Sequence, residues 1–161
     1  MNENLRYPCL VINLRKLGEN IKRMKEFCEE QGIEMAGVIK GFSGITECLR
    51  EYEKAGVRYL ASSRLGQLAR VKEAGIRIPT MSIRISMLSE TADLVRYADC
   101  SLQSEESVLR AIDRAAGAQN KIHDVILMAD LGDLREGFWT TEELVSAALL
   151  VEKELSNIRL L

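Results

Sequence analysis

The sequence predicts an α/β fold assembled from repeated strand–helix units, and three observations carry that reading. Short apolar runs begin near Cys9, Met35, Val57, Pro79, Cys100 and Val125, and from Met35 onward they start roughly 20 to 25 residues apart. Amphipathic helical stretches lie between them, as parallel strands require, since such strands are joined through crossover helices. The run Val125–Ala129 is continuously apolar rather than alternating, the pattern of a strand covered on both faces in a helix-wrapped parallel sheet. With 161 residues, 47% hydrophobic and 29% charged, the chain can bury a core as one domain and does not have the composition of a disordered segment.

Each element has its own signal. The run Pro8–Leu14 reads as a leading strand. Leu17, Ile21, Met24 and Cys28 then mark one face of a helix. Val108, Leu109, Ile112, Ala115 and Ala116 form a second apolar stripe, and Leu144, Ala148, Val151 and Leu155 a third. Gly32, Gly56, Gly75 and Gly117 stand where helices should stop, because glycine takes the left-handed C′ conformation without steric cost. Ser63, Ser89, Ser104 and Thr140 stand where helices should start, and Thr140 with Glu143 spells a capping box. A last apolar run opens at Ile158 and reaches Leu161.

A leucine-rich solenoid has a similar period, but its L-x-x-L-x-L-x-x-N signature is absent. The G-x-G-x-x-G and G-x-x-x-x-G-K-[ST] loops of doubly wound nucleotide folds are absent too. A (β/α)8 TIM barrel remains, incomplete here with about six of its eight strands. Because the chain stops inside an apolar run, residues 1–161 are expected to be the N-terminal part of a single longer barrel domain, with any C-terminal domain absent.

Composition narrows the partners. A net charge of -2 offers no electrostatic reason to bind nucleic acid or an anionic membrane. The apolar runs fall well short of the roughly 20 residues that cross a bilayer. The N-terminus lacks a basic, then apolar, leader. The four cysteines show no C-x-x-C pair and there is one histidine, so no zinc spacing is evident. A reducing cytoplasmic compartment fits, with the thiols as small core residues.

Two stretches could carry chemistry. In Met35–Gly44, a strand of small and apolar residues ends in Lys40, followed by Gly41 and Gly44. Strand C-terminal ends line the mouth of a barrel, where a partly desolvated amine can act as a nucleophile; a solvated lysine is the alternative. In Asp130–Gly137, Arg135 follows the most apolar strand and can fork two hydrogen bonds onto a phenolate, carboxylate or phosphate, or pair with Asp133 or Glu136. Ser62, Ser63, Arg64 and Arg84 fall at predicted strand ends. Arg84 can meet a substrate carboxylate or pair with Glu90. His123 lies at the far end of its strand and reads as structural or exposed, and Trp139 as packing under the Asp130–Gly137 loop.

Together these stretches resemble the alanine racemase family, N-terminal portion, a fold-type III pyridoxal-phosphate barrel. The carriers are Val38-Ile39-Lys40 opening into a glycine loop, the run Pro8–Leu14 ahead of a helix, and Val125–Gly137. Ala61-Ser62-Ser63-Arg64 and Ile83–Glu90 are similar to the alanine/ornithine racemase-like branch. Gly44, standing where many alanine racemases have a tyrosine, favours that branch. The resemblance implies a pyridoxal-phosphate-dependent amino-acid racemase, an isomerase. It implies that Lys40 forms the internal aldimine with pyridoxal 5′-phosphate and acts as one acid/base. It also implies that Arg135, in the D-x-G-x-x-R-x-G loop, hydrogen-bonds the cofactor's phenolic oxygen. Ser63 and Arg84 are the candidate substrate-binding residues, the substrate being a small-molecule amino acid, with alanine, ornithine, serine and lysine all open, and the full-length protein is expected to be a homodimer. The family's second acid/base, a tyrosine of its C-terminal domain, has no match here. Phosphate loops come late in such barrels, so this stretch alone is expected to hold the cofactor weakly and to be inactive. A non-catalytic pyridoxal-phosphate-binding homeostasis protein and an inactive truncated barrel fragment are the alternatives.

Overall fold

A computed structural model describes residues 6–161. Six strands follow in order: β1 (Ala36–Val38), β2 (Tyr59–Ser62), β3 (Thr80–Ser82), β4 (Cys100–Gln103), β5 (His123–Leu127) and β6 (Ile158–Leu160). All neighbours are parallel, and their order in the sheet is their order in the sequence. The helices are α1 (Leu14–Glu30), α2 (Thr46–Ala55), α3 (Leu65–Glu73), α4 (Thr91–Tyr97), α5 (Glu106–Ala118) and α6 (Thr141–Glu154). This is the α/β architecture of a partial TIM barrel, with β1 and β6 at the edges.

Residues paired across parallel strands share a face. Ser62, Ser82, Ser101 and Val125 are in register, and this face meets the helices. Ser62 Oγ donates to Gln67 Oε1 of α3 at 2.7 Å. Gly37, on the same face, has the Tyr52 ring of α2 where a Cβ would stand. The core lies in this layer, with Leu49, Leu60, Leu68, Val71, Leu94, Leu109, Ile112 and Val125 buried. Each such side chain contributes about 1.5–3 kcal/mol by leaving water. Val38, Ala61, Met81, Cys100, Asp124 and Arg159 are in register on the other face. There Val38 is exposed and Met81, Leu102 and Ile126 are half-buried. Arg159 Nε and Nη2 donate to the two Asp124 carboxylate oxygens at 2.9 and 3.0 Å. Among the described residues, no helix is long and apolar enough to cross a membrane.

The α5 stripe and the Thr140–Glu143 capping box form as the sequence predicts, and Gly32, Gly56 and Gly75 take left-handed φ at helix ends. Other expectations need correction. The described part of the run Pro8–Leu14 forms no strand; Pro8 has no amide hydrogen to offer a ladder, and Cys9, Leu10 and Val11 are exposed. Cys9 is therefore not a core thiol and Cys28 is only half-buried, whereas Cys48 and Cys100 are buried. Burial pushes the Cys100 thiol up to about 12. Helices α3, α4 and α5 start without a serine cap: their N-cap residues are Arg64, Glu90 and Glu105, none with a side-chain capping bond. Gly117 lies inside α5, and Asn120 takes the left-handed turn instead. A Cβ at Gly117 would stand 2.9 Å from Asn157 Nδ2, so close packing, not termination, is its role. In α6 the buried face is Ala147, Leu150 and Val151, because the apolar run there offers more than one stripe. Strand β5 is not covered on both faces, since Ile126 and Leu127 are half-buried.

His123 is structural. It is 2% exposed at the start of β5, and its Nε2 is 2.9 Å from Ser101 Oγ, which in turn accepts Gln103 Nε2 at 3.0 Å. A neutral ring fits this pairing, with Nε2 and the Ser101 hydroxyl sharing one hydrogen. Burial pushes the imidazole down to about 4, against the opposing pull of Asp124 and Asp99. A folded state that keeps this ring neutral is stabilised fully above the ordinary value of 6.5, and that contribution is lost as pH falls toward about 4. Urea denaturation across this window should show unfolding free energy falling by about 3 kcal/mol, and His123→Phe should flatten that slope.

Candidate active site

Parallel pairing puts every strand's C-terminal end on one rim. At the end of β1, Ile39 N–H donates to Ala61 O at 2.9 Å, prolonging the ladder by one residue. The chain then breaks into a single 3₁₀ turn, Lys40–Phe42. Ser43 and Gly44 both have positive φ, 56° and 68°, which turns the backbone back sharply. The turn is fastened from two sides. Arg70 Nη1 of α3 donates to Ser43 O at 2.8 Å, and the Phe42 ring stacks on Tyr52 of α2 with centroids 5.8 Å apart. Gly44 lies against Gln67 in the first turn of α3, 3.6 Å from where its Cβ would be. Lys40 itself is exposed, and its Nζ has no hydrogen bond or ion pair among the described residues.

After β5 the chain forms a tight loop over Asp130–Gly137. The Asp130 carboxylate accepts Gly132 N–H at 2.7 Å and Leu134 N–H at 3.3 Å. These backbone bonds, Gly132 foremost, hold it below the usual carboxylate range. Phe138 N–H donates to Met128 O at 2.7 Å and Asp130 N–H to Phe138 O at 2.9 Å, closing the loop's neck. The neck requires Gly137, whose φ is 138°; a Cβ there would stand 2.6 Å from the Ala129 carbonyl carbon. Arg135 is exposed at the loop's far side with no ion pair to Asp133 or Glu136 among the described residues. Trp139 does not pack under the loop: it is 61% exposed, and Phe138 makes the contact with the core instead.

Ser63 and Arg84 come together. Both line a cavity of about 340 Å³ between the loops after β2 and β3, with Arg64, Ser86 and Glu90. Arg84 makes no ion pair with Glu90. Ser62 faces away, bound to Gln67, and so has a structural role. Lys40 follows β1 and Arg135 follows β5, on the same rim with three strands between their own. Sequence reasoning missed Ser86 and the α3 first-turn amides of Leu65 and Gly66 as cavity residues; Gly66, just after Ser62-Ser63-Arg64, was the one available signal.

Residues 12–161, which hold every strand and helix described above, match the family "Alanine racemase, N-terminal domain". The chain belongs to that family. It is 40% identical over 138 residues to an ornithine racemase of Acetoanaerobium sticklandii, covering 86% of this chain and 38% of the relative. It is 36% identical over 133 residues to a lysine racemase of Thermotoga maritima, covering 83% and 38%. Among solved structures, an alanine racemase of Clostridium difficile 630 superposes with a TM-score of 0.77 at 26% identity, over 92% of this chain and 40% of that one. A D-threonine aldolase from Filomicrobium marinum shares the fold with a TM-score of 0.83 at 14% identity, over 96% and 42%. The chain thus spans about two-fifths of the length of these proteins.

For a member of this racemase family, the rim chemistry fits pyridoxal phosphate. An unpaired primary amine and an unpaired guanidinium are the donor set that an aldehyde and its neighbouring phenolic oxygen call for. The second depends on the loop's neck. Gly137→Ala should open it, and hydrogen exchange at the Asp130 and Phe138 amides should accelerate at least tenfold while amides in α5 keep their protection.

Proposed function

We propose that the chain is the lysine-bearing barrel portion of a pyridoxal 5′-phosphate-dependent amino-acid racemase. The observation that carries this reading is the place of Lys40: an unpaired amine held at the end of β1 by a turn fastened to both α2 and α3. When bound, pyridoxal phosphate supplies an aldehyde and an electron-withdrawing ring that stabilises negative charge on the α-carbon of an amino acid. Lys40 Nζ is the atom that would hold the cofactor through its aldehyde, and as a free amine it would take or return the α-proton of the amino acid on one face. Arg135 would donate to the phenolic oxygen, a role for a guanidinium that stays charged and does not itself exchange a proton. Ser63 and Arg84, which line one cavity between the loops after β2 and β3, would bind the substrate. The names of the ornithine and lysine racemases make those two amino acids, with alanine, the first substrates to assay.

Borohydride reduction with pyridoxal phosphate present, followed by peptide mapping, tests the assignment. Lys40 should carry the pyridoxyl group in preference to exposed helix lysines such as Lys16 and Lys22, and Lys40→Ala should remove the preferred adduct. Labelling of Lys40 no faster than those surface lysines would overturn the assignment.

A further inference from the structure

On the helix exteriors, cations such as Arg15, Lys25 and Arg110 pair with a glutamate one turn away, as the spacing of a helix favours. Arg70 of α3 departs from that pattern. Glu73 stands three residues further along the same helix, yet among the described residues Arg70 makes no ion pair with it. The guanidinium reaches off the helix instead, and Nη1 donates to the backbone carbonyl of Ser43 at 2.8 Å, 27 residues away in sequence. A charged side chain is thus committed to a single carbonyl in the turn that carries Lys40.

The shape of the turn depends on that carbonyl. Ser43 lies in left-handed backbone, φ 56° and ψ 26°, which costs free energy in a residue that has a Cβ. Gly44 follows at φ 68°. The peptide unit between them is held on both sides. Its N–H, from Gly44, donates to Ile39 O at 3.2 Å, and its C=O accepts Arg70 Nη1. In a trans peptide these two groups point in opposite directions, so the plane cannot rotate without losing both bonds. Ser43 N–H donates in turn to Lys40 O at 3.3 Å, which carries the constraint to Lys40 itself. The Phe42–Tyr52 stack holds a side chain of this turn; Arg70 holds its backbone.

We propose that Arg70 is a positioning residue for Lys40: by pinning the Ser43–Gly44 peptide to α3, it fixes the direction in which the Lys40 side chain leaves the end of β1. The helix it comes from also borders the neighbouring cavity, since Leu65 and Gly66 line it with Ser63 and Arg84. One rigid element therefore sets the amine and that cavity in a common frame, the arrangement a preorganised site requires. The inference rests on the racemase reading for the role of the Lys40 amine and adds the residue that decides where the amine stands.

The test is the rate of borohydride trapping with pyridoxal phosphate at Lys40, divided by the rates at Lys16 and Lys22 in the same sample of the full chain. Arg70→Ala should lower that ratio about fivefold, less than a buried charge-assisted bond would give because Arg70 is exposed. Arg70→Lys, which keeps a charged donor, should recover part of the loss. Arg114→Ala, at an exposed arginine of α5, should leave the ratio unchanged. Amide hydrogen exchange on the same proteins separates positioning from damage to the helix: in Arg70→Ala the Gly44 amide should exchange faster while the Val71 amide of α3 keeps its protection. A Lys40 ratio unchanged by Arg70→Ala would overturn the proposal, as would a fall that Arg70→Lys does not relieve and that comes with lost protection at Val71. If Lys40 in the unsubstituted chain labels no faster than Lys16 and Lys22, the assignment of the amine fails and this role falls with it. A Lys40 preference that survives Arg70→Ala removes this role alone.

Discussion

A parallel pair of strands cannot be joined by a tight turn; the chain must cross back over the sheet before it can pair again. In this molecule that constraint acts five times in succession, and each crossover is a helix placed on the same side. Two consequences follow together. The helices bury one face of the sheet and supply the core, and every strand points its C-terminal end at one rim. Lys40, Ser63, Arg84 and Arg135 come from four different strand ends and share that rim for this reason alone. Their sequence separation, close to a hundred residues between the first and last by the roughly 20 to 25 residue period, is irrelevant to the geometry.

The two ends of the sheet are built by opposite rules. Toward the N-terminal end polar groups are paired: His123 with Ser101, and Asp99 accepts Thr80 N–H at 2.7 Å and Lys72 Nζ at 2.6 Å. His123 and Ser101 can be buried because each has a partner, whereas Gln103, at the C-terminal end of β4, donates to Ser101 Oγ and leaves its Oε1 buried without one among the described residues. On the helix exteriors, cations such as Arg15, Lys25, Arg50 and Arg110 are paired with glutamates one turn away or across to a neighbouring helix. At the rim, Lys40, Arg64, Arg84 and Arg135 have no ion pair among the described residues. Unpaired donors of one sign gathered at one place add little to stability, and they suit the binding of an anionic or electrophilic group.

Loop shape turns that inventory into positions. The Lys40 turn is held by Arg70 and by the Phe42–Tyr52 stack. The Arg135 loop is held by the Asp130 carboxylate and by a neck only glycine can form. In both cases the functional candidate is exposed while the residues that shape its loop are tied to packed elements. That arrangement leaves the candidate's charged atoms accessible while restricting where its backbone can go.

Much of this was legible in the sequence. The period of the apolar runs, the α5 stripe and the capping box at Thr140 are local patterns, and local patterns survive folding because they depend on neighbours a few residues away. Lys40, Ser63, Arg84 and Arg135 could be picked out because a strand end is itself a local feature. The uncapped start of α3, the burial of Gly117 against Asn157, and the meeting of Ser86 with Arg84 and the α3 amides were not legible. Each depends on which helix or loop lies opposite, and no residue carries a mark of its partner across 20 or more positions of chain. The sequence by itself determined the alternation of strand and helix and the residues at the strand ends; the tertiary structure alone decided which of those ends open onto a common cavity, because close packing between elements, not pattern within them, sets that distance.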